Sequence, residues 1–138
     1  MTGPRRPRGH LLDTNVLIGI LKRWSGLQGL LDPGFRPLYC ASLSRRELFQ
    51  KQGLSTAERW AIHRLLSDLR ILYPDPAILD RFDRLRAKYA ARTQPSWQGD
   101  ALVAATAWAK ELPLVTLNVG HFRFVEEIVV LSPMDLLA

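Results

Sequence analysis

Four short apolar runs, separated by segments of helical periodicity, limit the folds open to this chain. They lie at residues 10 to 13, at 37 to 42 (PLYCAS), at 113 to 118 (PLVTLN) and at 127 to 132 (EIVVLS). Each has strand character and is too short to make a good helix, as expected of buried strands. Between them, Leu17, Ile20, Leu21 and Trp24 fall on one helical face; Ile62, Leu65, Leu66 and Leu69 repeat that spacing, as do Ile78, Phe82, Leu85 and Tyr89. GDALVAATAWAK predicts a further helix whose alanines permit close packing. Start signals agree: Ser55 and Glu58 have capping-box spacing, and Asp75-Pro76 and Ser132-Pro133 each set an N-cap before a proline. Alternating strands and helices predict an α/β sandwich with a mostly parallel sheet and helices on both faces. The helices at about 55 to 70 and 75 to 91, joined through ILYPD, depart from the alternation and are expected to form an αα-hairpin protruding beyond the sheet. Their aromatics Trp60, Phe82 and Tyr89 are expected to face mostly inward.

With 138 residues, 47% of them hydrophobic and 23% charged, the chain suits one globular domain. We expect a flexible basic tail over residues 1 to 9 and a single domain over 10 to 138. No apolar run approaches the roughly 18 to 20 residues that cross a bilayer, and MTGPRRPRG carries charge without the apolar stretch of a secretory signal. The expectation is a cytoplasmic protein with no membrane association. Cys40 is the sole cysteine, which excludes an intrachain disulfide and a thiolate metal cage and leaves oxygen or histidine as ligands. The net charge of +6 agrees with a polyanionic partner without demanding one.

The acidic residues sit where such a fold builds sites, at the ends of strands where helices begin. In GHLLDTNVLI, Asp13 closes the first strand; Glu47 follows the second by a helical turn or so; Asp100 starts the small-residue helix; Asn118 follows LVTL. Each also has a structural explanation: Asp13 as a cap, Glu47 as the third helical residue of a capping box with Ser44, Asn118 as a cap for residues 119 to 122, and Asp100 as a charge at the positive end of its helix dipole. Together, however, three carboxylates and an amide in one cleft would raise carboxylate pKa values and cost folding free energy unless a cation were bound. Such oxygen ligands suit a hard ion, Mg²⁺ or Mn²⁺, and ions of that kind act on phosphate oxygens. On this reasoning, Asp13→Asn and Asp100→Asn should both leave the metal-free fold unchanged or slightly more stable.

Four segments resemble, in order, the motifs of the PIN-domain nucleases: LLDTNVLI the first, SLSRREL the second, WQGDALVAATAW the third and PLVTLNVGHF the fourth. The resemblance runs from about residue 10 to 131 and is closest to the VapC-type toxins of prokaryotic toxin–antitoxin pairs. It implies a PIN-like three-layer α/β/α sandwich and hydrolysis of RNA phosphodiester bonds with Mg²⁺ or Mn²⁺. It implies that Asp13, Glu47 and Asp100 are metal ligands and that Asn118 fills the fourth position of the site, where it supplies an oxygen without charge. Thr14 and Thr116 are candidates to orient a carboxylate or a water, or to form local turn hydrogen bonds. His121 completes the fourth motif at the rim, without an assigned role. Arg45, Arg46, Lys51, Lys22 and Arg23 either steer RNA or form a solvated face, and none is assigned to catalysis. The resemblance also implies an antitoxin partner and a homodimer, to which Trp24 and the aromatics of the helical pair are expected to contribute. A haloacid-dehalogenase-like phosphatase would need an acid two residues after Asp13, where Asn15 stands. The other alternative is a PIN-like module that binds RNA or protein without catalysis.

Overall fold

The computed structural model describes residues 9–92 and 97–138, so the basic stretch at residues 1–8 lies outside the described residues. Five strands, β1 (His10–Leu12), β2 (Leu38–Ala41), β3 (Leu69–Leu72), β4 (Leu114–Val115) and β5 (Val130–Leu131), form one sheet in the order β3-β2-β1-β4-β5. Every pairing is parallel. The helices are α1 (Thr14–Leu21), α2 (Ser42–Gln50), α3 (Thr56–Ser67), α4 (Pro76–Lys88), α5 (Trp97–Lys110), α6 (Val119–Phe122) and α7 (Pro133–Leu137), with 3-10 turns at Leu27–Leu31, Pro33–Phe35 and Ala90–Arg92.

β1 is central and buried on both faces, which explains its apolar pair Leu11 and Leu12; buried His10 at its start lies with Nδ1 2.8 Å from Phe35 O. Leu11 faces a cluster built from Ile78 and Leu85 of α4 and Ala101, Ala104 and Ala105 of α5. Leu12 faces the opposite cluster, with Val16 and Leu17 of α1, Leu48 of α2 and Ile62, Leu65 and Leu66 of α3. The same alternation sends Leu114 and Val115 to opposite faces. Helices cover both sides, giving the expected three layers. The alanines of α5 admit α4 closely, and Lys110 ties the two helices together through Asp75. Asp75 also caps α4, accepting from Ile78 N at 2.8 Å. Ser55 with Glu58 and Ser132 with Asp135 form complete capping boxes at the starts of α3 and α7.

The connection between α3 and α4 departs from expectation. α3 stops at Ser67, and LRIL (69 to 72) forms edge strand β3, paired to β2 over four residues. Leu69 satisfies both periods: it continues the helical stripe of Ile62, Leu65 and Leu66, yet also opens a strand in which buried Leu69 precedes exposed Arg70. α3 and α4 consequently pack on opposite faces of the sheet and form no αα-hairpin. Two aromatics differ as well. Trp60 is 65% exposed on α3, and Trp24 lies beyond the end of α1 with 45% of its surface exposed. Phe82 and Tyr89 pack against the core as expected.

The strands β4 and β5 have only two residues each, although Leu114 N and Thr116 N donate to Val129 O and Leu131 O and carry the pairing slightly further. No helix among the described residues is long and apolar enough to cross a membrane. Gly9, at the end of the expected tail, is buried with φ +115°, and a Cβ there would stand 2.0 Å from Pro37 O. Gly9→Ala should therefore cost about 2 to 3 kcal/mol in urea unfolding, combining left-handed strain with a clash against backbone. Gly34→Ala, where a Cβ meets nothing within 4 Å, should change stability by less than about 0.5 kcal/mol.

Candidate active site

The chain runs from β1 through β2 to β3 on one side of the sheet, then crosses to β4 on the other side of β1. The crevice at the carboxyl ends of β1 and β4 is the switch point where open α/β sheets bind ligands. Asp13 closes β1 there. Its backbone N donates to Val115 O at 2.9 Å, and its carbonyl accepts from Val16 N and Leu17 N, joining sheet to helix.

The Asp13 side chain is 8% exposed. Oδ1 accepts from Thr14 N at 2.8 Å, and Oδ2 accepts from Thr116 Oγ1 at 2.9 Å and more distantly from Asn15 Nδ2 at 3.4 Å. Asp13 is thus the N-cap of α1, with its other oxygen committed to β4. Thr116 Oγ1 also accepts from Asn118 N at 3.0 Å and lies 3.3 Å from Asn15 Nδ2. Asn15 Oδ1 accepts from Leu117 N at 3.1 Å. Asn118 begins α6, but its side chain makes no cap bond.

Glu47 enters from α2. That helix starts after Ala41, so Ser44 is its third residue and no capping box links Ser44 to Glu47. Ser44 is instead fully buried, 2.8 Å from Thr14 Oγ1, which is itself 2.8 Å from Glu47 Oε1. Thr14 has one hydroxyl proton, and the carboxylate takes it, so Ser44 donates to Thr14. A relay Ser44 to Thr14 to Glu47 positions an otherwise exposed acid. Asp100, in the first turn of α5, has its Oδ2 3.8 Å from Nδ1 of exposed His121.

These acids share one electrostatic environment. Burial pushes Asp13 above its ordinary carboxylate range, opposed by the hydrogen bonds from Thr116 and Thr14 and by the charge of His121. Burial likewise raises Asp100, and the charges of Asp13 and Glu47 raise it further against the pull of His121. Asp13, Glu47 and Asp100 therefore act on one another across one crevice, Asn118 stands at its edge through its backbone N–H to Thr116, and Thr14 and Thr116 are bonded to acids. Asn15 and Ser44 are the structural participants missed from sequence; Thr116 and Leu117, which hold Asn15, and Thr14, which meets Ser44, lie far away along the chain.

Residues 10–126 match the PIN-domain family model, and the chain belongs to that family. It is 33% identical over 120 residues to Ribonuclease VapC10 of Mycobacterium tuberculosis, covering 86% of this chain and 89% of that protein. The fold is similar to a DNA-bound VapBC of Salmonella typhimurium (TM-score 0.77, 21% identity, 91% of this chain and 98% of the other). It is also similar to VapBC-1 of nontypeable Haemophilus influenzae (TM-score 0.76, 20% identity, again 91% and 98%).

Among the described residues, no three His, Cys, Asp or Glu side chains are gathered tightly enough to hold a metal ion unaided. The donor chemistry nevertheless fits a hard, partly hydrated cation: carboxylate and amide oxygens, no thiolate, and acids whose charges oppose one another.

The geometry separates Asp13 from Asp100, which sequence reasoning treats alike. In Asp13→Asn, either orientation of the amide sets its NH₂ against a committed donor, Thr14 N or the Thr116–Asn15 pair. That variant should lose roughly 1 to 2 kcal/mol in metal-free urea unfolding. Asp100→Asn relieves repulsion without orphaning a donor and should remain within about 0.5 kcal/mol of the parent or gain slightly.

Proposed function

We propose that this chain is a metal-dependent endoribonuclease, the toxin of a type II toxin–antitoxin pair. The observation that carries this reading is the convergence of Asp13, Glu47 and Asp100 on the mouth of the β1/β4 switch point, where Asp13 and Asp100 are both held above the ordinary carboxylate range. Membership of the PIN-domain family and the identity to Ribonuclease VapC10 support the reaction class.

Asp13, Glu47 and Asp100 would hold Mg²⁺ or Mn²⁺, with Asn118 contributing an uncharged oxygen. When bound, the ion supplies Lewis-acid chemistry, lowering the pKa of water and neutralising charge on phosphate oxygens. The chain's own residues set the geometry for in-line attack on the RNA phosphodiester. Thr116 and Thr14 N fix both oxygens of Asp13, leaving it little rotational freedom. The Ser44–Thr14 relay aims Glu47 while leaving its second oxygen free of that relay. His121 stands at the rim, its Nδ1 3.8 Å from Asp100 Oδ2.

The partner side of the proposal is a small antitoxin in the cytoplasm and a homodimer of the toxin. An apolar groove lined by Ile18, Leu21, Leu48, Leu54 and Ile62 runs beside Glu47, and an apolar antitoxin segment would cover it while approaching the acids. Exposed Trp60 and Trp24 are the aromatics left for association, since Phe82 and Tyr89 are used by the core.

End-labelled RNAs incubated with antitoxin-free protein should be cut with Mg²⁺ or Mn²⁺ and left intact in EDTA. Asp100→Asn should lower cleavage at least about a hundredfold, in line with loss of a charge that acts on the reacting groups, while its melting curve stays like the parent's. Equal cleavage by the variant, or cleavage undiminished in EDTA, would overturn the assignment.

A further inference from the structure

A second groove of about 480 Å³ opens at the carboxyl-terminal end of the sheet, beside β2 and β3. It is lined by Arg45, Arg46 and Phe49 of α2, by Tyr73 just after β3, and by Leu43 and Leu102. Its position follows from topology: α2 carries Glu47 between these arginines and Phe49, and Leu102 lies two residues beyond Asp100 on α5. Leu43 touches the same helix, 3.7 Å from a Cβ placed at Gly99. The groove thus opens at the carboxyl ends of β2 and β3, the end of the sheet where Asp13 closes β1, while Glu47 lines the neighbouring groove on the other side of α2.

Its chemistry is the reverse of the crevice's. The charged side chains lining it are both arginines, and neither has a carboxylate partner among the described residues. Arg45 lies over the Phe49 ring, 5.6 Å from its centroid, and Arg59 of α3 lies over it at 5.5 Å. These cation–π contacts hold positive charge along the wall. Tyr73 is 63% exposed, a large ring for which the fold provides no cover.

We propose that this groove binds the single-stranded RNA flanking the cleaved phosphate, with a base stacked on Tyr73 and phosphates held by Arg45 and Arg46. The assignment rests on the ribonuclease reading and extends it to the residues that hold the substrate strand. Arginine suits phosphate because its planar fork donates in pairs, and an exposed aromatic ring stacks on any base. A duplex hides its base faces, so the ring selects unpaired segments and loops. The positive groove would also draw a polyanion toward a crevice whose own charge repels it.

The test uses Asp100→Asn protein with Mg²⁺, so that RNA stays intact, and a short fluorescein-labelled oligoribonucleotide of mixed sequence, single-stranded or annealed, followed by anisotropy. The single strand should bind more tightly than the duplex. Adding Tyr73→Ala should weaken single-strand binding about tenfold, and Tyr73→Phe should restore it. Arg46→Ala should weaken binding and reduce the slope of log affinity against log salt by about one. Arg84→Ala, outside the groove and paired with Asp80, should leave both quantities unchanged. Thermal melts establish that each variant is folded.

Parent-like binding by both Tyr73→Ala and Arg46→Ala would overturn the groove while leaving the nuclease reading intact. Absence of binding by the Asp100→Asn parent also overturns it, and cleavage by the unaltered protein then decides whether the nuclease reading falls with it.

Discussion

The hydrogen bond from Thr116 to Asp13 joins the two strand ends on which the rest of the crevice depends. β1 and β4 are neighbours in the sheet but distant in sequence, and the chain between them visits both faces of the fold. A carboxylate at the end of a buried central strand is costly unless its oxygens are occupied. Thr14 N occupies one and Thr116 the other, so the same contacts that permit burial also fix the direction of the acid. Thr116 in turn accepts from Asn118 N, which sets where β4 gives way to α6 and carries His121 to the rim.

The sandwich was legible because its inner strands β2, β1 and β4 are largely buried and read as short apolar runs. The parallel order follows from the helices between them. β3 was obscured for a specific reason: Leu69 stands at a position that continues the stripe of Ile62, Leu65 and Leu66 and also begins a strand. Pairing with Leu38 through Ala41 decides between the two, and that pairing is not visible locally. Exposure of Trp60 had the same origin. A helix that covers one edge of a sheet needs only a narrow apolar stripe, here Ile62, Leu65 and Leu66, and a neighbouring aromatic can remain outside it.

The acids were legible as a set because Asp13 closes a strand and the others follow near helix starts, although Glu47 lies in the second turn of α2 and Asp100 opens a helix that follows helical elements and not a strand. Their supporting residues were less so. Ser44 looked like a cap three residues before Glu47, yet the helix already begins at Ser42, which turns Ser44 inward to Thr14. Asn15 served in sequence only to exclude a phosphatase motif; in the fold its amide spans Asp13, Thr116 and Leu117. Both roles depend on contacts between elements, which composition and periodicity do not encode.

The three carboxylates therefore differ in mechanical character. Asp13 is buried and bonded through both oxygens, so it holds a fixed position whether or not a cation is present. Glu47 is exposed and guided through one oxygen by Thr14, while Asp100 is half-buried and meets the distant imidazole of His121. In the metal-binding role proposed for these acids, the buried one would supply the fixed point and the two more exposed ones the adjustable charge. That division explains why the extensive hydrogen-bond network surrounds Asp13, although Asp100 feels the stronger repulsion from its neighbours.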